Sequence, residues 1–189
     1  MSEVLWRRLG YMLSPQLDIY QAIAECLGEE DAVMDIGFGT GFGTLQLTKT
    51  ADMVVGVEND KEAVDFANKC LPGIMWYWGD VSRGFDYVGG EYDAIVMIEV
   101  LEHVADWRSA IRNVYKMLAP GGTFYISARN ANADLRKNEL HEREWTAAQL
   151  HSSMREYFED VKLYDYRLEK RQELDTRQTP LLAVCRKGE

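Results

Sequence analysis

Basic charge is scarce in this 189-residue chain, with 21 lysines and arginines against 31 aspartates and glutamates. The resulting net charge of −10 and pI near 4.8 set up a field that repels phosphate backbones. Nucleic acid is therefore not an expected partner beyond a local basic patch. Cysteine is scarcer still: Cys26, Cys70 and Cys185 are odd in number and far apart, and no CxxC occurs. That excludes a disulfide framework and suits buried thiols in a reducing cytosol. No apolar run approaches the roughly 20 residues that a membrane span requires. The opening MSEVLWRRLGYML interrupts its apolar stretch with charge and does not read as a secretory signal. The expected setting is cytoplasmic. Prolines are few, and Pro15, Pro72, Pro120 and Pro180 fall at element boundaries, with no repeat or low-complexity linker between them.

What is present is the composition of an ordinary globular protein, 47% hydrophobic and 28% charged. The length predicts one domain over 1–189, with a helical segment over 1–30 and a lid-like stretch over 130–145. Ser2 can cap a helix over Val4–Leu13, and Ser14-Pro15 restarts a second one carrying the apolar stripe Leu17, Ile19, Tyr20, Ile23, Ala24 and Leu27. Short apolar runs then alternate with amphipathic segments. Strands are expected at Ala32–Ile36, Met53–Val57, Gly73–Trp78, Tyr92–Ile98 and Thr123–Ser127. Helices are expected at Thr44–Thr50, from Asp60 through Lys69, and from the Asp106 cap through Leu118. Strands apolar on both faces and separated by helices mean a parallel sheet covered on both sides. After the polar stretch NANADLRKNELHERE, a helix capped by Thr146 runs to near Phe158. Val161–Tyr166 and Leu181–Cys185 close the chain as an antiparallel pair, joined by the charged, exposed and mobile connection Arg167–Thr179.

The stretch VMDIGFGTGFGTL sets Gly37, Gly39 and Gly41 at alternate positions between a strand and a helix. In an open α/β sheet that turn borders the ligand crevice. No register supplies the dinucleotide pattern GxGxxG, and no phosphate loop lies nearby. Asp35, just before the turn, would repel a pyrophosphate and suits a cationic amino or sulfonium group. Asp93 opens its strand at the end remote from the ligand and reads as structural.

Five stretches in order carry a resemblance to a family: DIGFGTG, VVGVEND, WYWGDVS, YDAIVMIEVLEHVAD and MLAPGGTFYIS. They resemble the motifs of the class I S-adenosylmethionine-dependent methyltransferases, in particular the type 11, ubiquinone-pathway-like group. The resemblance is strong from Ala32 to Ser127 and looser beyond. It implies a Rossmann-like, doubly wound α/β sheet of seven strands in order 3-2-1-4-5-7-6, strand 7 antiparallel, with helices on both faces. It implies a cofactor, S-adenosyl-L-methionine, bound by Asp35, Gly37, Gly39, Gly41, Glu58, Asn59, Asp80, Val81, Ile98 and Glu99. Glu58 would hold the ribose hydroxyls and Asp80 the adenine amino group. By residue type alone, Glu58 also suits a helix N-terminus and Asp80 a turn cap.

Glu99-Val100-Leu101-Glu102-His103 follows the fourth strand and so lies on the crevice floor. Two of the three histidines, His103 and His141, fall on the floor and the lid; His151 reads as a surface or partly buried residue. Glu99, Glu102, His103 and His141 together suit a divalent cation, Mg²⁺ or Mn²⁺ among others, without selecting one. They resemble the metal residues of small-RNA 2′-O-methyltransferases, and ubiquinone-pathway O-methyltransferases carry a like cluster. Relatives without a metal carry it too, so a histidine base and a structural role stay open. Either His103 or His141 is a candidate catalytic base, although carboxylates nearby would favour the imidazolium. Trp6, Tyr11, Tyr20, Asn130, Asn132 and Trp145 are candidates for the acceptor pocket, and Arg129, Arg136, Lys137 and Arg143 form a basic run nearly cancelled by acids. The expected activity is O-methylation of a small-molecule hydroxyl. The alternatives are metal-dependent RNA 2′-O-methylation and a non-catalytic S-adenosylmethionine-binding partner protein. The oligomeric state is open.

Overall fold

A computed structural model describes residues 15–84, 89–133 and 139–189. The helix expected over Val4–Leu13, with Trp6 and Tyr11, lies outside them. In chain order the elements are α1 (Pro15–Ala24), β1 (Ala32–Ile36), α2 (Thr44–Leu47), β2 (Met53–Glu58), α3 (Lys61–Cys70), β3 (Met75–Trp78) and β4 (Tyr92–Ile98). A 3₁₀ turn (Leu101–His103), α4 (Trp107–Met117), β5 (Leu118–Ala128), α5 (Ala147–Arg155), β6 (Asp160–Tyr164) and β7 (Leu181–Arg186) follow.

The strands form one seven-stranded sheet in the order β3-β2-β1-β4-β5-β7-β6. β7 runs antiparallel to both β5 and β6, and the remaining pairs are parallel. Alternation along β1 and β4 shows why both faces need helices. Met34, Ile36, Ile95 and Met97 enter one core with Trp107, Ile111 and Val114 of α4 and Leu150 and Met154 of α5. Val33, Ala94, Val96 and Ile98 enter the other, with Ile19 and Ile23 of α1 and Leu47 of α2. A strand with apolar residues on both faces can be stable only when both are covered. Because β1 pairs with β2 on one side and β4 on the other, the chain reverses its winding there, opening a crevice at the carboxyl ends of β1 and β4.

The helix starts follow local hydrogen bonding. Asp60 accepts from the Glu62 N–H at 3.0 Å, Asp106 from the Ser109 N–H at 3.1 Å, and Thr146 forms a reciprocal capping box with Gln149. Asp93 accepts from the Ala32 N–H at 2.9 Å, bracing the remote end of the sheet.

Some expectations need correction. β3 starts at Met75 because Gly73 has φ +96° and cannot continue a strand. β5 absorbs the Pro120-Gly121-Gly122 segment as an irregularity, since Gly121 and Gly122 bond to Gly188 and Lys187 backbone groups across the edge. α2 is shorter than expected, its last residues closing as tight turns. Of the three thiols only Cys185 is buried; Cys26 and Cys70 are exposed, lying past α1 and at the end of α3. The connection after β6 is fastened where simple exposure was expected: Asn130 Nδ2 donates to the carbonyls of Thr176 and Gln178, and the Asn130 N–H donates to the Thr179 hydroxyl. Asn130 is thus a clasp and not a pocket residue.

Candidate active site

The glycine turn is shaped by three left-handed backbone positions, with φ of +75°, +58° and +81° at Gly37, Gly39 and Gly41. A Cβ at Gly37 would lie 2.2 Å from Val100 Cγ2, and one at Gly41 2.7 Å from Leu71 Cδ1. These two glycines let the turn seat against the ends of β4 and α3. Gly39 differs: a Cβ there would meet nothing within 4 Å. It borders open space, which suits close approach by a ligand.

Glu58, at the end of β2, is 6% exposed. One carboxylate oxygen accepts from the Gly39 N–H at 2.9 Å, and the other from the N–H groups of Asn59 and Asp60 at 2.9 and 3.1 Å. Charge-assisted bonds of this kind fix the turn before any ligand arrives. Asn59 is exposed and its carbonyl accepts from the Trp78 indole at 3.0 Å. Trp78, opposite Glu58 in the β2–β3 register, is 62% exposed, and sequence reasoning passed it over within WYWGD. Asp80 caps the following turn, accepting from the Ser82 N–H and hydroxyl at 2.9 and 2.8 Å, with Arg83 at 3.4 Å. Val81 and Ile98 are buried, and the Val81 carbonyl accepts from Asn113.

Asp35 departs from its expected role. It is fully buried, and its oxygens accept the hydroxyls of Tyr20 at 3.0 Å and Thr44 at 2.6 Å. Its carboxylate ties α1 and α2 beneath the glycine turn, and Tyr20 is spent on the same bond. Burial pushes Asp35 up to about 7, against the lowering effect of the Thr44 and Tyr20 hydroxyls and with a further upward push from Glu58. The folded chain thus holds this proton more tightly than the unfolded chain does. Stability is full below the ordinary value of 3.8 and falls as pH rises towards about 7. A span of about three units at roughly 1.4 kcal/mol each makes the loss ~4 kcal/mol. Urea unfolding between about pH 5 and pH 8 should therefore be less pH-sensitive in Asp35→Asn than in the parent; parallel curves would contradict the assignment.

At the end of β4, Glu99 adopts φ +56°, uncommon for a non-glycine residue. Its N–H donates to the Ser127 hydroxyl at 3.0 Å, and that hydroxyl lies 3.2 Å from Glu99 Oε1. The 3₁₀ turn that follows aims Glu102 inward, where it is 1% exposed and neither oxygen has a hydrogen-bond partner of good geometry. His103 remains exposed. The segment before Trp145 packs against this turn through backbone bonds: Glu142 and Arg143 N–H groups donate to the Glu102 carbonyl at 2.8 and 3.3 Å. His103 Nδ1 donates to the Leu140 carbonyl at 3.0 Å.

The lid thereby delivers His141 to His103, with ring centroids 4.8 Å apart and planes at 86°. Glu102, His103 and His141 each offer one ligand atom within 4.8 Å of the others. Glu99 does not join this group, because its carboxylate faces Ser127; the expected quartet is a trio. Burial pushes Glu102 up to about 8, helped by the Glu99 carboxylate and opposed by the backbone amides of Glu102 and Arg129 and by the Arg129 guanidinium. Burial also raises Glu99, against the Ser127 bond and Arg129. His141 is pushed down by burial, by His103 and by Arg129, more than Glu144 pulls it up. The imidazolium expected beside the carboxylates is thus disfavoured at His141.

The remaining pocket candidates are placed elsewhere. Trp145 is fully buried and packs edge-on against Trp107 at 5.0 Å. Asn132 is exposed, its N–H held by Asn130. Arg129 pairs with Glu144 at 3.2 Å, and the Arg143 guanidinium lies 5.0 Å from the Trp145 ring. Half of the basic run is therefore engaged within the chain, while Arg136 and Lys137 lie outside the described residues. His151 is partly buried on α5. No helix among the described residues is long and apolar enough to cross a membrane.

The methyltransferase domain family matches residues 34–126. A Mycolicibacterium smegmatis protein described as a "probable S-adenosylmethionine-dependent methyltransferase" is 28% identical over 138 residues, spanning 70% of this chain and 52% of that one. A ubiquinone biosynthesis O-methyltransferase from Erwinia tasmaniensis is 29% identical over 105 residues, 53% of this chain and 43% of that one. The fold is shared with a TehB-like methyltransferase from Corynebacterium glutamicum, at a TM-score of 0.74 and 20% identity over 97% of this chain and 94% of that one. Residues 34–126 thus carry the methyltransferase domain, and the fold is that of the S-adenosylmethionine-dependent methyltransferases it resembles. It spans about half the length of the curated relatives it matches.

Proposed function

We propose that the chain transfers a methyl group from S-adenosylmethionine to a hydroxyl of a small-molecule acceptor. The observation that carries this reading is the convergence of Glu102, His103 and His141 at the carboxyl end of β4, next to the Val100 that seats Gly37. When bound, the cofactor supplies an electrophilic methyl on a sulfonium with a good leaving group, so positioning accounts for much of the acceleration. The open space at Gly39 and the paired oxygens of Glu58 fit its ribose end. Asn59, Asp80, Val81, Ile98 and Glu99 are the remaining cofactor-facing residues in this reading, with Gly37 and Gly41 shaping the turn and Asp35 supporting it.

A hydroxyl acceptor must lose its proton, and a neutral imidazole can take it. The downward push on His141 keeps that ring neutral near physiological pH. His103 stands beside it as the second candidate base. A divalent cation such as Mg²⁺ or Mn²⁺ also fits the trio, since Glu102 is a buried acid with no hydrogen-bond partner of good geometry; bound there, it would lower the pKa of the acceptor hydroxyl. The net charge of −10 and the internal engagement of Arg129 and Arg143 favour a small molecule over RNA. The name of the Erwinia relative points the same way.

The test is transfer of labelled methyl to a panel of phenols, catechols, amines and RNA 3′ ends, run with Mg²⁺, with Mn²⁺ and with a chelator. Label in the hydroxyl compounds supports the reading. Label only in amines or RNA overturns it, as does cofactor binding without transfer to any acceptor, which would mark a partner protein.

A further inference from the structure

The two imidazoles are held by different parts of the lid, and in each case the ring contact is at Nδ1. His103 Nδ1 faces the Leu140 carbonyl at 3.0 Å. A carbonyl can only accept, so the His103 proton sits on Nδ1. His141 Nδ1 lies 3.5 Å from Glu144 Oε1, with the His141 side chain only 7% exposed. Arg129 Nε lies 3.2 Å from the same oxygen, an ion pair by distance. Arg129 follows β5 directly, and Trp145, next to Glu144, is sealed in the core and bonded by its N–H to the Arg129 carbonyl at 3.2 Å. Glu144 therefore sits on a rigid mount, three residues from the ring it faces.

We infer that Glu144 is the positioning residue of this site: its carboxylate accepts the Nδ1 proton of His141 and fixes that ring's tautomer and orientation. The inference rests on the reading of His141 as a group that faces the acceptor. A carboxylate that accepts from one ring nitrogen makes the other the basic one, so Nε2 becomes the nitrogen available to a proton or a cation. With Leu140 doing the same for His103, both rings present their Nε2 lone pairs, and the segment from Leu140 to Glu144 sets both tautomers at once. Arg129 keeps the carboxylate aimed at the ring. Neither Glu144 nor Arg129 touches the acceptor in this arrangement.

The experiment is long-range ¹H–¹⁵N NMR of the histidine side chains in the whole chain at about pH 8, which reads the proton-bearing nitrogen directly. In the parent, His141 and His103 should both show the Nδ1–H form. In Glu144→Ala, His141 should move to the Nε2–H form that free imidazole prefers, while His103 keeps its signal as an internal control. Glu144→Gln, whose amide oxygen can still accept, should restore Nδ1–H at His141. With an acceptor in hand, Glu144→Ala should lower kcat by about 10–100-fold, the range typical of lost outer partners, with KM little changed. An Nε2–H signal on His141 in the parent, which requires no variant to fold, overturns the inference; so does an unchanged tautomer in Glu144→Ala. The tautomers are read without substrate. Their agreement with expectation alongside a failed methyl-transfer panel would sink the functional reading and leave the role of Glu144 standing.

Discussion

Glu58→Ala is expected to weaken S-adenosylmethionine binding by about 3 kcal/mol, or ~150-fold, in a calorimetric titration. Two losses combine in that figure. The first is the acceptor pair proposed for the ribose hydroxyls. The second arises from the free chain, where Glu58 already accepts the Gly39, Asn59 and Asp60 N–H groups. Removing the carboxylate releases the turn that must approach the ligand, so binding would also have to order it. Glu58→Gln keeps one acceptor oxygen and should fall between the two. An unchanged dissociation constant in the alanine variant would remove Glu58 from both roles.

His141→Ala and His103→Ala should each depress turnover by about 10²–10⁴-fold, the usual worth of a positioned general base, equivalent to ~3–5 kcal/mol of barrier. Cofactor affinity should stay within about twofold, because the Gly39–Glu58 bond and the β2–β3 edge do not involve either ring. His103→Ala also removes the bond to the Leu140 carbonyl, so its effect includes a weaker hold on that segment. His141→Ala leaves that bond in place and is the cleaner variant. Chelation then separates the two chemistries: activity lost and restored by Mg²⁺ or Mn²⁺ assigns the trio to a cation, whereas indifference assigns it to the imidazole alone. Turnover at the parental rate in both variants would make the histidines structural.

Much of the fold is legible in the sequence because its determinants are local. The both-face apolar runs at 32–36 and 92–98 name central strands, and Asp60, Asp106 and Thr146 announce helix starts through bonds two or three residues away. The site is legible where position along a strand decides it, as with the glycine turn and Glu58. Legibility fails where a side chain must choose among partners distant in sequence. Asp35 reads as a ligand group until Tyr20, fifteen residues earlier, takes one of its oxygens. Glu99 and Glu102 are indistinguishable on paper. The left-handed backbone at Glu99 and a serine 28 residues away turn one carboxylate aside and leave the other buried with the histidines. Trp145 stands on paper among the pocket aromatics, a type more often found in the core, and its full burial against Trp107 decides for the core. Glu144 had a hidden signal, a carboxylate three residues after a histidine, which reads on paper as mere cancellation of nearby positive charge.

Asn130 gives two remote stretches of chain a common tether. Its side-chain amide grips the carbonyls of Thr176 and Gln178, and the backbone on either side of it pairs with Trp145, the last residue of the 130–145 stretch. A protease nick in the 167–179 connection would therefore slacken the strap that holds the lid's far end, and His141 would lose its register with His103 although no bond near either ring had been cut. In a protein engineered by segment exchange, that connection is best moved together with residues 129–145, as one cassette; swapped alone, it would carry away the anchor and leave the histidines behind.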